Sequence, residues 1–249
     1  MEMTDVVMKQ PNRTSISNRL LFIFSCTVLL FLSCKKNDIS PSGNTNPPPI
    51  INTAGDTTKF ITADYIELDK IDRISKFRSG FGHDYSDGFE HCRSMKHYFQ
   101  PKGTVDWSAV KIFSPVKGTV VKITTEWAGD QSHIQPVHNP GSSVIIFHVV
   151  LKPPLAVGDS VQAGQQLGTH IGSQTMSDIA IGGIYNNIWK LSSYFMLIND
   201  SLFLRYNARG LQHREDAIIS KEARDADSLR CNGESFGTEG TINNWVILQ

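Results

Sequence analysis

The hydrophobic positions of residues 109–181 follow the short periods of a β protein. The segment AVKIFSPVKGTVVKITTEW predicts two strands with a turn at Pro115–Gly118, and SSVIIFHVVL, rich in β-branched residues, predicts a buried strand. Short strands follow, separated by glycines at a spacing that suits tight turns, where glycine supplies a positive φ: Gly158, Gly164, Gly168 and Gly172. The segment MSDIAIGGI predicts one more strand. This region therefore predicts a compact β domain.

The pattern changes on both sides of this β region. Upstream, the polar and histidine-rich segment HDYSDGFEHCRSMKHYFQPKG has poor periodicity and predicts an ordered loop. Downstream, IWKLSSYFMLINDSLFLRYNARG places apolar residues at helical spacing, and HREDAIISKEARDADSL is charged and permits a helix. We therefore predict a mainly β domain over residues 56–182 and a helical C-terminal extension over residues 183–249.

The N-terminal segment has the pattern of an export signal. Lys9, Arg13 and Arg19 precede a largely apolar run from Leu20 to Leu32. A run of this length is typical of the core of a signal peptide, and it is too short to cross a bilayer, which takes about 20 apolar residues. Residues 1–33 are therefore predicted to direct export of the chain.

The end of this run also carries a candidate lipid-attachment site. Ser33 followed by Cys34 resembles the lipobox that bacterial lipoprotein signal peptidase cuts. The resemblance implies a diacylated Cys34 and a cell-envelope protein attached to a membrane through its lipid anchor. The alternatives are a signal peptide cut elsewhere or an N-terminal transmembrane anchor. Residues 34–55, rich in Pro, Ser, Asn and Gly, predict a disordered tether.

The charge of the chain argues against a nucleic-acid partner. The whole sequence has 24 basic and 24 acidic side chains, and residues 1–33 carry three of the basic and two of the acidic ones. The remaining chain is therefore close to neutral. Because binding to nucleic acid depends on a field of basic side chains, we expect no nucleic-acid partner.

Two cysteines remain for a disulfide once the signal and the lipid site are set aside. Of the four cysteines, Cys26 lies in the predicted signal and Cys34 is the predicted lipid site, which leaves Cys92 and Cys231. In an oxidising compartment these two residues are expected to pair and to join the C-terminal tail to the histidine-rich loop. The alternative is two free thiols.

Five segments of the β region resemble a known family in the same order. They are RSGFG at 78–82, FSPVKGTVV at 113–121, VIIFHVV at 144–150, VGDSVQAGQQLGTHIG at 157–172 and MSDIAI at 176–181. They resemble five segments of the lysostaphin-like (LytM-type) zinc endopeptidases, which cut peptidoglycan cross-bridges. In the same order, the family segments are S-G-[FY]-G, V-x-A-P-x-x-G-x-V, the strand ending in Y-x-H-L, V-G-x-x-V-x-x-G-Q-x-I-G-x-x-G and H-L-H-F-E-[IV]. The resemblance implies a lysostaphin-like β-sheet domain with barrel-sandwich-like hairpins.

The resemblance also implies a type of chemistry. The family binds zinc through H-x-x-x-D and the second histidine of H-x-H, while the first H-x-H histidine and the Y-x-H-L histidine assist the metal-bound water. Three protein ligands leave a fourth position open for water, and the metal lowers the pKa of that water to about 7. Neighbouring imidazoles can then carry the proton.

Only part of this site is carried over onto the present sequence. His148 matches the Y-x-H-L histidine, but H-x-H is absent, and the alignment puts Met176 and Asp178 at its two histidines. His83 and Asp87 satisfy H-x-x-x-D. The resemblance thus implies zinc held by His83, Asp87 and Asp178, with His148 as a proton carrier.

Two assignments in this set have alternatives. His97 lies near the family's spacing before FSPVKGTV, although Pro101 stands where the aspartate belongs, and we predict His97 as a second proton carrier. Asp178 has a second predicted use, which is to hydrogen-bond the polar residues of the loop: Arg93, Ser94, Lys96 and His97.

Three functional hypotheses follow. The first is an envelope lipoprotein that hydrolyses cell-wall peptides with an altered zinc site. The second is a member of the same family that has lost the metal and binds peptidoglycan or another envelope component without cutting it. The third is a different hydrolase or a glycan-binding role built on the polar loop of residues 83–97.

Overall fold

The computed structural model describes residues 58–249. The predicted export signal, the lipid site at Cys34 and the whole predicted tether lie outside the described residues. Among residues 58–249, no helix is long and apolar enough to cross a membrane.

The described chain is built mainly from β-strands, as predicted. The strands are β1 (Ile71–Ser75), β2 (His97–Pro101), β3 (Lys111–Phe113), β4 (Gly118–Glu126), β5 (Gly129–Pro136), β6 (Ser142–Leu151), β7 (Ser160–Val161), β8 (Gln166–His170), β9 (Ser177–Tyr185), β10 (Ile188–Ser192), β11 (Cys231–Asn232), β12 (Ser235–Phe236) and β13 (Trp245–Ile247). The helices are α1 (Tyr194–Leu197), α2 (Asp200–Asn207) and α3 (Lys221–Ala226).

Eleven of these strands form one antiparallel sheet. Its main path runs β13-β1-β2-β9-β6-β5-β4-β7, while β10 pairs with β9, and β8 pairs with both β3 and β6. Strand β9 is central. Along one of its edges, β2 pairs with the first part of the strand and β10 with the second part, and β6 pairs along the other edge. The glycine-rich segment forms β7 and β8 as predicted, and Gly158, Gly164 and Gly172 adopt positive φ at its turns.

The C-terminal part shares the core of the β domain. Buried residues of α1 and α2, such as Phe195 and Tyr206, belong to the same apolar cluster as Ile146 of β6 and Ile179 of β9. The helices predicted near the C-terminus are present, but they are short, and residues 183–249 also contain β10 and β13. The predicted boundary at residue 182 therefore does not separate two cores.

The loop between β1 and β2 is ordered by charge and by backbone hydrogen bonds. The Glu90 carboxylate lies 2.7 Å from Arg78 Nη2 and 2.8 Å from Arg93 Nη1, and Arg93 Nη2 lies 2.8 Å from Asp225 of α3. Burial alone would raise the pKa of Glu90, but the two guanidinium groups lower it. Ser94 N also donates to Ser79 O at 2.9 Å and Ser94 O accepts from Arg78 N at 2.8 Å, and these bonds hold the two ends of the loop together.

The predicted disulfide is confirmed. Cys92 and Cys231 are bonded with their Cα atoms 5.6 Å apart, and 139 positions separate them in sequence. The bond joins the β1–β2 loop to the hairpin of β11 and β12. Two further contacts hold the same hairpin, since Asp84 N donates to Glu234 O at 2.7 Å and His83 forms a β-bridge with Ser235.

We predict that replacing both Cys92 and Cys231 with alanine lowers the free energy of unfolding by about 4 kcal/mol, because the bond closes a long loop of the unfolded chain. Denaturant unfolding of the oxidised wild type and of the double variant measures this difference. Peptide mapping of the unreduced wild type should recover the two cysteines in one cross-linked peptide, and their recovery as separate free thiols would contradict the assignment.

Candidate functional site

A cleft of about 930 Å3 opens where three of the five segments that carry the family resemblance meet, those at 78–82, 144–150 and 176–181. One wall is residues 81–85 of the β1–β2 loop, and the opposite wall is residues 126–127 at the tip of the β4–β5 hairpin. His148 and residues 173–176 also line the cleft, and Glu234 and Ser235 from the disulfide-linked hairpin close one side. The cleft therefore draws on most of the length of the described chain.

A β-bulge in β6 turns His148 toward this cleft. Ser132 of β5 pairs with Ile146 and Asp130 pairs with Val149, so that Phe147 and His148 together oppose one residue. His148 has φ +62°, a left-handed conformation that is uncommon for a residue other than glycine. The bulge also marks the point where β6 changes partner, from β9 up to Ile146 to β8 from Val149 onward. The opening created there receives Asp178.

Asp178 is a buried carboxylate with two cationic neighbours. Its side chain is inaccessible to solvent, and its two oxygens face Lys96 Nζ, in a very short contact, and His148 Nε2, at 3.1 Å. Neither contact has the alignment of a good hydrogen bond, so we describe both as ion pairs. Burial alone would raise the pKa of Asp178, but the charges of Lys96 and His148 outweigh burial and lower it. Asp178 is therefore ionised in the folded protein.

Lys96 is buried and charged at the centre of this cluster. Burial alone would lower its pKa, but the charge of Asp178 outweighs burial and raises it. The ammonium also lies over the rings of Phe147, Tyr85 and Tyr98, at 4.2, 4.9 and 5.0 Å from their centroids. A paired carboxylate and several aromatic faces together make this position favourable for a cation.

Each ring nitrogen of His148 faces an acceptor, which favours the protonated form. Its Nδ1 lies 3.1 Å from the carbonyl oxygen of Ala128, and its Nε2 lies 3.1 Å from the Asp178 carboxylate. Burial lowers the pKa of His148, but the Asp178 carboxylate beside Nε2 outweighs burial and raises it. Because both partners accept hydrogen bonds, the imidazolium form, which donates from both nitrogens, fits this position.

His83 completes the cluster as a neutral imidazole. Its Nε2 lies 3.0 Å from Lys96 Nζ, and its Nδ1 lies 3.0 Å from the carbonyl oxygen of Asp84. Burial and the charge of Lys96 lower the pKa of His83. The preceding Gly82 has φ +79°, and a Cβ there would lie 2.3 Å from the Tyr98 hydroxyl, so only glycine brings the chain close enough to set His83 in the cleft.

The residues present do not fit the zinc ion that the family resemblance implies. Two of the three groups expected to bind zinc, the Asp178 carboxylate and His83 Nε2, instead face the Lys96 ammonium. Within residues 58–249, no three His, Cys, Asp or Glu side chains are arranged to hold a metal ion. The expected set of His83, Asp87 and Asp178 is therefore not assembled.

Asp87 does not lie in the cleft. Its Oδ1 accepts hydrogen bonds from the backbone N–H groups of Phe89 and Glu90, at 2.8 and 3.1 Å, and its Oδ2 accepts from Leu191 N at 2.9 Å. The carboxylate thus shapes a turn and covers the edge of β10. The H-x-x-x-D spacing does not bring Asp87 to His83, because the loop turns between the two residues.

His97 also lies away from the cleft. Alternation along the strand places it on the face opposite to Lys96 and Tyr98, with Nδ1 2.8 Å from Ser75 O and Nε2 2.9 Å from Ser193 Oγ. Burial lowers its pKa to about 4. The structure therefore places His97 in the core as a neutral, hydrogen-bonded side chain, which contradicts the expected role in proton transfer.

Sequence reasoning did not identify Lys96 and the aromatic lining as the main features of the cleft. The sequence predicts Lys96 only as one of four polar residues that could hydrogen-bond Asp178. In the structure, Lys96 is the one of these four that forms an ion pair with the Asp178 carboxylate. Aromatic side chains line the walls at several points, from segments far apart in sequence: Phe81, Tyr85, Tyr98, Trp107, Trp127 and Phe147. Alternation in β2 points to Lys96 and Tyr98 as same-face neighbours, but no local signal identified Trp107 or Trp127.

We predict that the Lys96–Asp178 pair behaves as a unit in a double-mutant cycle. Lys96→Met and Asp178→Asn should each lower the free energy of unfolding by about 3–5 kcal/mol, because each leaves a buried partner uncompensated. The double variant should lose clearly less than the sum. Denaturant unfolding measures all four proteins, and additive losses would show that the two groups are not coupled.

We also predict opposite shifts of the His148 pKa in the two single variants. Asp178→Asn should lower it, because burial then dominates, and Lys96→Met should raise it, because a competing positive charge is removed. NMR titration of the imidazole measures both values, and shifts of the same sign would contradict the assignment.

The raised pKa of His148 also predicts in which direction the free energy of unfolding changes with pH. The stabilisation from protonated His148 is fully present below about pH 6.5 and is lost as the pH rises through the folded-state pKa. The pH dependence of unfolding in the wild type and in His148→Gln tests this sign.

Comparison with known proteins finds only a weak likeness to solved structures. No family model matches the sequence, and no curated protein matches it. A structure of the SpoIIQ–SpoIIIAH pore-forming complex is 14% identical over 54% of this chain and 89% of that chain, with a TM-score of 0.38. A putative glycyl-glycine endopeptidase lytM from Ruminococcus gnavus is 15% identical over 50% of this chain and 47% of its own, with a TM-score of 0.34.

The solution structure of lysostaphin gives a similar result, with 15% identity over 47% of this chain and 52% of its own, and a TM-score of 0.30. The chain thus spans about half the length of the lytM and lysostaphin structures. At these identities and TM-scores, no residue's role is carried over from these three structures.

Proposed function

We propose that this chain is a lipid-anchored envelope protein whose lysostaphin-like β domain binds a cell-wall component in the cleft and does not cut it. The observation that carries the proposal is the position of Lys96. Its ammonium lies against Asp178 and His83, two of the three groups that the family resemblance assigns to zinc. A covalently attached cation thus stands at the centre of the expected metal site.

The protonation of the cluster also argues against hydrolysis. A general base needs a nitrogen or oxygen lone pair directed at the attacking water. Both nitrogens of His148 face acceptors, and Nε2 of His83 faces the Lys96 ammonium. Asp178 is buried beneath the cluster and ion-paired. The cluster therefore has the features of a structural support rather than of a centre that activates water.

The lysostaphin-like part of the proposal is supported by the way the matched segments come together. The segment RSGFG leads into His83, VIIFHVV carries the bulge at His148, and MSDIAI carries Asp178. These three side chains meet in one cluster although they lie far apart in sequence. The alignment to the family thus selected residues that are neighbours in space.

The same convergence is the observation in favour of a zinc metalloendopeptidase. A metal ion at this position would have to displace Lys96, whose charge is balanced by Asp178. The displaced ammonium would then lose its ion pair and its aromatic neighbours. We therefore favour binding over hydrolysis, and the two functions are separable by experiment.

We predict that the purified full-length chain co-sediments with isolated peptidoglycan sacculi, releases no soluble fragments or new amino groups from them, and contains no stoichiometric zinc. Co-sedimentation, amine assays and elemental analysis measure these three outcomes. Asp87→Ala is the control variant, because Asp87 lies outside the cleft.

Stoichiometric zinc that is lost in His83→Ala and in Asp178→Ala but kept in Asp87→Ala would overturn the proposal in favour of the peptidase. A wild type that is folded but does not bind sacculi would remove the cell wall as the partner.

A further inference from the structure

We propose that the cleft binds an uncharged saccharide, which stacks on Trp127 and Trp107 above the Lys96–Asp178–His148 cluster. This inference rests on the proposed function and names the part of the cell wall that is recognised. It is carried by the distribution of charge in the cleft and by the availability of its aromatic faces.

The charges at the floor disfavour a cationic ligand. Among the described residues that line the cleft, the basic side chains are Lys96, His83 and His148. Lys96 is charged, and its ammonium already occupies positions over Tyr85, Tyr98 and Phe147. Both ring nitrogens of His148 face acceptors, which favours the imidazolium form. A second cation over these rings would therefore meet like charge.

The charges of the walls disfavour an anionic ligand. Glu126, Asp84 and Glu234 line the cleft, and Glu234 is exposed on the disulfide-linked hairpin. Asp84 Oδ1 accepts hydrogen bonds from Ser86 Oγ and Arg93 N within the loop. Glu126 and Glu234 take part in none of the salt bridges of the described residues, so that these two carboxylates give the walls their negative charge. With cations at the floor and anions on the walls, an uncharged ligand meets the least electrostatic opposition.

Two indole rings remain available for contact with a ligand. Trp127 is 81% exposed at the tip of the β4–β5 hairpin. Trp107 is half-buried, and its Nε1 donates to Lys102 O at 3.3 Å, which fixes the orientation of the ring. Large, rigid aromatic faces give contact area at low cost in conformational entropy. The apolar C–H faces of a pyranose ring are suited to such surfaces.

The hairpin tip that carries Trp127 is attached to the charged cluster. The carbonyl oxygen of the next residue, Ala128, accepts the hydrogen bond from His148 Nδ1. Gly129 then turns the chain with φ +91°, and a Cβ there would lie 3.0 Å from Val149 O. Trp127 is therefore exposed on a well-anchored turn rather than on a free loop.

Neutral polar groups complete the lining. Ser173, Gln174 and Ser235 are exposed side chains of the cleft, and they offer hydroxyl and amide groups that can both donate and accept hydrogen bonds. Together with the wall carboxylates they match the hydroxyl and acetamido groups of an N-acetylated sugar. A binding site of aromatic faces with a few convergent polar groups is the usual form of a small-ligand site.

The test uses the full-length chain and soluble linear oligomers of N-acetylglucosamine as the probe. Titration calorimetry and tryptophan fluorescence should both show binding. Trp127→Ala should weaken it by about tenfold or more, as expected for the loss of an aromatic anchor. Trp127→Phe should retain most of the affinity, and Trp189→Phe, outside the cleft, should leave Kd unchanged.

Salt and competing probes decide between ligand classes. The Kd for the oligomer should not change between about 0.05 and 0.5 M salt, whereas binding of a charged ligand would weaken strongly over this range. Binding of sacculi with no binding of the oligomer, or binding of a soluble stem peptide instead, would overturn the saccharide assignment and leave the proposed function standing. Oligomer binding that Trp127→Ala does not weaken would overturn the assignment to this cleft.

A folded wild type that binds neither sacculi nor the oligomer would instead overturn the proposed function itself.

Discussion

The ion pair between Lys96 and Asp178 is the interaction on which this end of the molecule depends. Both side chains are essentially inaccessible to solvent, and an isolated charge of either sign would be very costly at this depth. The pair exists because β2 and β9 are neighbours and place Tyr98 opposite Asp178, which brings Lys96 to the carboxylate. His148 and His83 then take their positions and protonation from this pair. Pairing of strands, rather than local sequence, therefore determines the electrostatics of the cleft.

The surrounding architecture holds this cluster through contacts between protein groups. The bulge in β6 turns His148 inward, and the close packing of Gly82 against Tyr98 sets His83 beside Lys96. A second set of ion pairs, from Arg78 through Glu90 and Arg93 to Asp225, fixes the loop from the opposite side. In a metal centre, one divalent ion would draw these segments together through coordination bonds. In this chain, an ammonium group and a network of carboxylates and guanidinium groups have that role.

The sequence predicted the β architecture because alternation and glycine spacing are local signals. Gly158, Gly164 and Gly172 lie at turns as expected, whereas Gly168 lies within β8. The pairing of Cys92 with Cys231 followed from elimination alone. The gathering of His83, His148 and Asp178 came from the family alignment. Asp87 and His97 were wrong for different reasons: a spacing motif does not show how a loop turns, and His97 lies on the buried face of β2. The sequence around Trp127 did not indicate that its ring lines the cleft, because its exposure at a hairpin tip depends on which strands pair.

The disulfide makes one wall of the cleft dependent on the oxidation state of two cysteines. Glu234 and Ser235, which form one wall, lie near the C-terminus, while His83 and Lys96 lie far upstream. Oxidation of Cys92 and Cys231 adds a covalent bond to the contacts that hold this wall in place. In a reduced chain the wall would depend on the backbone hydrogen bond from Asp84 N to Glu234 O and on the bridge between His83 and Ser235. The width of the cleft is therefore expected to depend on the thiol redox state of its surroundings.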